Sequence, residues 1–240
     1  VTGMHLHSEY GFTYKEIEND NLIIDKKINI LDNSDTPADI SKAMGQAMTK
    51  FADYFDELKP DLLVVLGDRF ETLAVSCVAM NARIPIAHLY GGETTEGAID
   101  ESIRHSITKM SYLHFTSTEE YRKRVIQLGE DPERVFNVGA IGIENIKNLD
   151  LLSKAELEES INFQLSNPYA IVTFHPVTLE DNTVEEQFSQ LLNALNEYPE
   201  LNYIFTKANA DANGRTITHM IDKYVSDRNN AIGFESLGTV

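Results

Sequence analysis

Short unbroken apolar runs alternate with amphipathic stretches along nearly the whole chain, and that alternation leaves few folds open. "DLLVVLGD" over 61–68 has no polar residue at every second position, as a parallel strand buried on both faces requires. Before it, Thr36 can cap a helix with Pro37 in its first turn. Ile40, Met44, Ala47, Phe51, Phe55 and Leu58 then recur at steps of three and four residues, the pattern of a helix with one apolar face, ending near Lys59 and Pro60. The cycle repeats with a helix in "RFETLAVSCVAMNA", a strand in "IPIAHLY" over 84–90, and a helix faced by Ile99, Ile103, Ile107 and Met110. A strand in "YLHFTS", a helix in "TEEYRKRVIQLG" closed by Gly129, and a strand in "RVFNVG" follow. A polar, helix-prone stretch covers 142–165, and the alternation then restarts through "YAIVTFH", "VEEQFSQLLNALNEY", "NYIFTK", "GRTITHMIDKYV" and "NAIGF". The expected class is α/β: two Rossmann-like domains facing a cleft, an N-terminal one over 1–145 and a C-terminal one over 146–240. "VTGMHL" reads as the end of a strand whose beginning is missing.

Charge and composition narrow the function classes. A formal net charge of −18 argues against a nucleic-acid backbone or an anionic membrane as the main partner, while a small phosphorylated ligand stays possible through a few local donors. No run of eighteen apolar residues is present. The single cysteine, Cys77, has no intrachain partner, and with no secretory pattern visible at the start, a reducing cytoplasmic setting is expected.

In doubly wound sheets ligands sit beyond the carboxyl ends of the strands, so polar residues just after strands carry the functional weight. Asp68 and Arg69 follow the first apolar run: a proton acceptor or sugar-hydroxyl partner beside a phosphate-neutralising cation, or simply a helix cap with its ion pair. In "HLYGGETTEGAIDESIRHSI", His88 and the Gly91-Gly92-Glu93 turn are followed by a helix. Its Asp100 and Arg104, and its Glu101 and His105, stand four residues apart and can meet on the helix surface. The glycines allow a tight turn that lets a ligand approach, but no Walker or GxGxxG pattern is present. His175 before Pro176 can donate to phosphate or take a proton near neutral pH, or be bonded to loop backbone. His5 and His7 share a face only on a strand, and without further ligands no metal site is expected.

"TGMHL", "EYGFTYKEIEND", "VVLGDRFETL", "GGETTEGAIDESIRHSITKMSYLHF", "FHPVTLE" and "FTKANADANGR", in this order, resemble the hydrolysing UDP-N-acetylglucosamine 2-epimerases over almost the whole chain. The GDR form leans to the hydrolysing branch. The resemblance implies a fold like that of the B-type glycosyltransferases, no cofactor, a UDP-sugar as substrate, and a homodimer or homotetramer. UDP would be eliminated across C1–C2 to a glycal, and water would add to give UDP and an N-acetylmannosamine-type sugar, as in sialic acid biosynthesis. It makes Asp68, Glu93, Asp100 and His175 the candidate catalytic residues, with Arg69, His88, Arg104, His105, Lys207, Asn209 and Asp211 binding substrate. Tyr90 stands where some members carry a glutamate, which leaves either Glu93 in that role or a different substrate in the site. The resemblance also leads one to expect a first strand before Val1 and a phosphate loop after Val240. Two other functions fit the same residues: a nucleotide-sugar-dependent glycosyltransferase and a non-catalytic nucleotide-sugar sensor.

Overall fold

The computed structural model describes residues 1–32, 36–165, 168–177, 179–180, 183–209 and 213–237; Asp211 lies outside them. Helices α1 (Tyr14–Asn19) and α2 (Pro37–Leu58) lead into β1 (Leu63–Leu66), α3 (Phe70–Asn81), β2 (Ile86–Leu89), α4 (Asp100–Met110), β3 (Leu113–Thr116), α5 (Glu119–Gln127) and β4 (Val135–Asn137). Helices α6 (Ile141–Asn148) and α7 (Lys154–Ser160) precede β5 (Tyr169–Thr173), α8 (Val184–Asn196), β6 (Asn202–Thr206), α9 (Gly214–Ser226) and β7 (Ala231–Phe234).

The chain divides into two compact units. One comprises Ile28–Asp32 and Ala38–Asn148, the other Val1–Lys27 and Leu149–Val240. The grouping differs from the order along the chain: residues Val1–Lys27 go with Leu149–Val240 and not with the block that follows them directly. Tertiary pairing explains the difference: Arg215 of α9 meets Glu9 at 2.6 Å, and the Ser236 hydroxyl donates to Glu16 at 2.5 Å. Residues Gly3–Leu6 form a 3-10 turn and not the tail of a strand.

In the first unit β1-β2-β3-β4 form an all-parallel sheet in sequence order. Alternation puts Val65, His88, His114 and Val135 in one row on one face. That face is covered. Ala43, Ala47 and Phe55 of α2, Phe70, Ala74 and Val78 of α3, and Ile103 and Ile107 of α4 close one core with Val65 and Ile86. Burying a side chain such as Phe55 or Ile107 stabilises by roughly 1.5–3 kcal/mol. The expectation of a first strand buried on both faces fails: Val64 and Leu66 are 59% and 56% exposed, because the helices of this core all serve the opposite face.

In the second unit β5-β6-β7 are parallel, again in sequence order. Val172, Tyr203, Phe205 and Ala231 pack with Phe188 of α8 and Ile217 and Ile221 of α9. Ile204 and Ile232 face the other way and meet Ile161, Phe163 and Leu165 after α7.

Candidate active site

Three adjacent loops at the carboxyl ends of β1, β2 and β3 hold the polar residues of the first unit. Gly67 ends β1 in the left-handed region, at φ 72°, and turns the chain toward α3. Its carbonyl is fixed by His88, which is fully buried. His88 Nε2 donates to that oxygen at 2.8 Å, so Nδ1, 3.2 Å from the Thr108 hydroxyl, is the accepting nitrogen. Burial pushes the His88 pKa down to about 4, against a smaller upward pull from the Gly67 bond. His88 therefore holds the β1 loop from beneath as a neutral, fully buried ring.

The Gly91-Gly92 pair has a packing reason. A Cβ on Gly91 would lie 3.1 Å from both His88 Nδ1 and the Thr108 hydroxyl. A Cβ on Gly92, at φ 82°, would lie 2.4 Å from the backbone oxygen of Tyr121 in α5. The glycines let the loop seat on α4 and α5. Arg124 of α5 grips the Gly92 carbonyl at 2.5 Å.

Arg104 is the hub. It is buried, 5% exposed, and its guanidinium reaches three loop groups. Nη1 donates to the Glu93 carbonyl at 2.9 Å, and Nη2 donates to the Thr95 hydroxyl at 2.9 Å and pairs with the Asp68 carboxylate. Asp68 is thus neither a cap of α3 nor a partner of Arg69. Arg69 is the N-cap residue of α3, and its Nε donates to Glu71 at 2.9 Å. A partly exposed carboxylate tied to a buried guanidinium is a fixed acceptor suited to a ligand hydroxyl.

Glu93 enters the same cluster through its backbone, and its carboxylate accepts from the Ser117 hydroxyl at 2.7 Å. Asp100 opens α4 and is partly buried. Glu101 faces His105 at 3.7 Å, the pair expected from their spacing, and also accepts the Thr95 backbone N–H at 3.0 Å. His105 Nδ1 is buried without a partner. Tyr90, at φ 66°, accepts the backbone N–H of Ile141 at 2.7 Å through its hydroxyl and so holds the start of α6. The structure therefore gathers Asp68, Glu93 and Arg104 into one network, with Asp100 and His105 on the helix that supplies Arg104. Sequence reading missed Ser117, Thr95 and Arg124; only their position just after a strand or in the next helix marked them.

In the second unit His175 lies exposed two residues past β5. Lys207, the first residue past β6, is already engaged by Asp222 at 2.8 Å and Glu235 at 2.9 Å. Burial pulls its pKa down, but the two carboxylates outweigh that and hold it above the usual lysine range. Asn209 is partly buried, and its carbonyl lies where a Cβ on Gly214 would be 2.2 Å away. Among the described residues no group of three or more His, Cys, Asp or Glu side chains is placed to hold a metal ion, and no helix is long and apolar enough to cross a membrane.

Parallel strands with carboxylates and a buried guanidinium at their carboxyl ends define an α/β protein with a polar cluster where ligands of doubly wound sheets sit. The chain belongs to the UDP-N-acetylglucosamine 2-epimerase family, whose sequence profile matches residues 1–240. It is 45% identical over 240 residues to a GDP/UDP-N,N'-diacetylbacillosamine 2-epimerase (hydrolyzing) of Campylobacter jejuni, covering 100% of this chain and 62% of that protein. It is 42% identical to the polysialic acid biosynthesis protein P7 of Escherichia coli, covering 95% of this chain and 58% of the relative. The chain thus spans about three fifths of the length of these relatives. The fold matches the crystal structure of UDP-GlcNAc 2-epimerase from Neisseria meningitidis bound to UDP-GlcNAc, with a TM-score of 0.72 at 19% identity over 96% of this chain and 62% of that one.

Proposed function

We propose that this chain is part of a hydrolysing 2-epimerase acting on a UDP-N-acetylhexosamine. The observation that carries the reading is the Asp68–Arg104–Glu93 network at the strand ends, in a chain whose similar relatives are named as hydrolysing 2-epimerases. The C2 proton of an N-acetyl sugar is weakly acidic, so C1–O cleavage must lead. As UDP departs, positive charge builds at the ring carbon, and a nearby carboxylate both stabilises it and takes the C2 proton. Water then adds its hydroxyl to C1 of the glycal, and a proton returns to C2 from the opposite face. UDP and a free sugar inverted at C2 are released. Glu93 and Asp100 are the proposed proton carriers. Asp68, tied to Arg104, holds a sugar hydroxyl, and the exposed His175 meets the departing diphosphate. Asn209 and Asp211 are assigned to the nucleotide, with Lys207 contributing only insofar as its two carboxylates leave it free.

Two relatives named for diacetylbacillosamine, at 45% and 33% identity, favour a 2,4-diacetamido-trideoxy sugar over N-acetylglucosamine. Full-length protein incubated with each UDP-sugar, with products followed by NMR, tests both parts. A free C2-inverted sugar with UDP is expected. A glycosylated acceptor, or a bound and unchanged UDP-sugar, overturns the reading.

A further inference from the structure

We infer that Ser117 is a positioning residue for Glu93, an inference that rests on the role proposed for Glu93. Ser117 is the first residue past β3 and stands beside the end of β2, the neighbouring strand that leads into Glu93. Both sides of the contact are held by the backbone around them. Before Ser117, the buried Thr116 hydroxyl donates to the carbonyls of Phe136, at 3.3 Å, and Thr118, at 3.2 Å. After it, the Thr118 hydroxyl caps α5 by accepting the Tyr121 N–H at 3.3 Å. Across the gap the Glu93 carbonyl is fixed by Arg104, and the preceding Gly92 is fixed by Arg124 and by its close seat on Tyr121.

The 2.7 Å bond from the Ser117 hydroxyl to Glu93 Oε1 thus joins two anchored segments. Among the described residues it is the only hydrogen bond to that carboxylate. A hydroxyl that engages one oxygen stops the carboxylate from rotating and leaves Oε2 as the atom to take or return a proton. A small loss of aim at a proton-transferring group is enough to slow turnover by about 100-fold. Ser117 touches no reacting atom in this scheme. It acts through Glu93.

The test is a double-mutant cycle in the full-length protein, read by UDP release. Ser117→Ala is expected to lower kcat by roughly 10–100-fold with KM nearly unchanged. In a Glu93→Ala background the same change is expected to cost less than about twofold, since the residue it orients is gone. Ser117→Thr keeps the donor and restores turnover, whereas the similarly shaped Ser117→Val does not; this pair decides the matter even if the alanine variant folds poorly. Equal losses in both backgrounds, or a valine variant as active as the threonine one, overturn the inference while leaving the epimerase reading intact. Absence of any UDP release from the unmodified protein overturns that reading and this inference with it.

Discussion

The strand-end loops of the two units are built differently. In the first unit, the loops after β1, β2 and β3 are tied to one another through Arg104, His88, Arg124 and Ser117. In the second, the histidine after β5 is exposed, and the lysine after β6 is occupied by two carboxylates. A cross-linked set of loops holds groups at fixed separations, which proton transfer needs. An exposed imidazole can follow a leaving group but cannot hold a geometry. On the proposed reading, the first unit carries the bond-making chemistry and the second a supporting part.

The largest effect that would sharpen this contrast is expected from Glu93→Gln, which should lower turnover by roughly 100–10,000-fold while UDP binding by calorimetry changes little. A loss confined to binding would break it. Next comes Arg104→Leu. Removing the buried partner of this partly exposed pair should destabilise the protein by about 3 kcal/mol, seen as a fall in the urea midpoint, because Asp68 loses its counter-charge and the Glu93 carbonyl and Thr95 hydroxyl lose their donor. Third is acid. His88 has a folded pKa lowered to about 4, so its contribution is complete above the unfolded value near 6.5 and is lost as pH falls from there toward 4. That loss amounts to about 3 kcal/mol, and buried His114, also shifted down by burial, acts in the same direction. Urea midpoints against pH should flatten over this window in His88→Gln. The smallest effect is expected from His175→Ala, about tenfold in turnover with unchanged stability, since the side chain is exposed. A loss as large as that of Glu93→Gln would erase the distinction between the units.

The helices and strands were legible because their periodicity is local. The helix read from Ile40 to Leu58 spans Pro37–Leu58, and the strand runs from 61 onward all contain observed strands, whereas "VTGMHL" does not. Apart from the Glu101–His105 pair, the partners in the site were not legible. Four-residue spacing offered Asp100 to Arg104, yet the buried guanidinium takes Asp68, 36 positions away, because the end of β1 lies beside the loop after β2. The role of His88 was hidden for the same reason: a histidine at the end of an apolar run reads alike whether it opens to solvent or holds a neighbouring carbonyl. Only the sheet order, which pairs Val65 with His88, distinguishes the two.

The fit of Gly92 against the Tyr121 carbonyl bears on any attempt to change which ligand this protein prefers. A saturation library screened for altered preference would return glycine at position 92 whatever ligand was offered, and that invariance would report on helix seating alone. Diversity is better spent on Thr94 and Glu96, which are exposed in the same loop and can change without unseating α5.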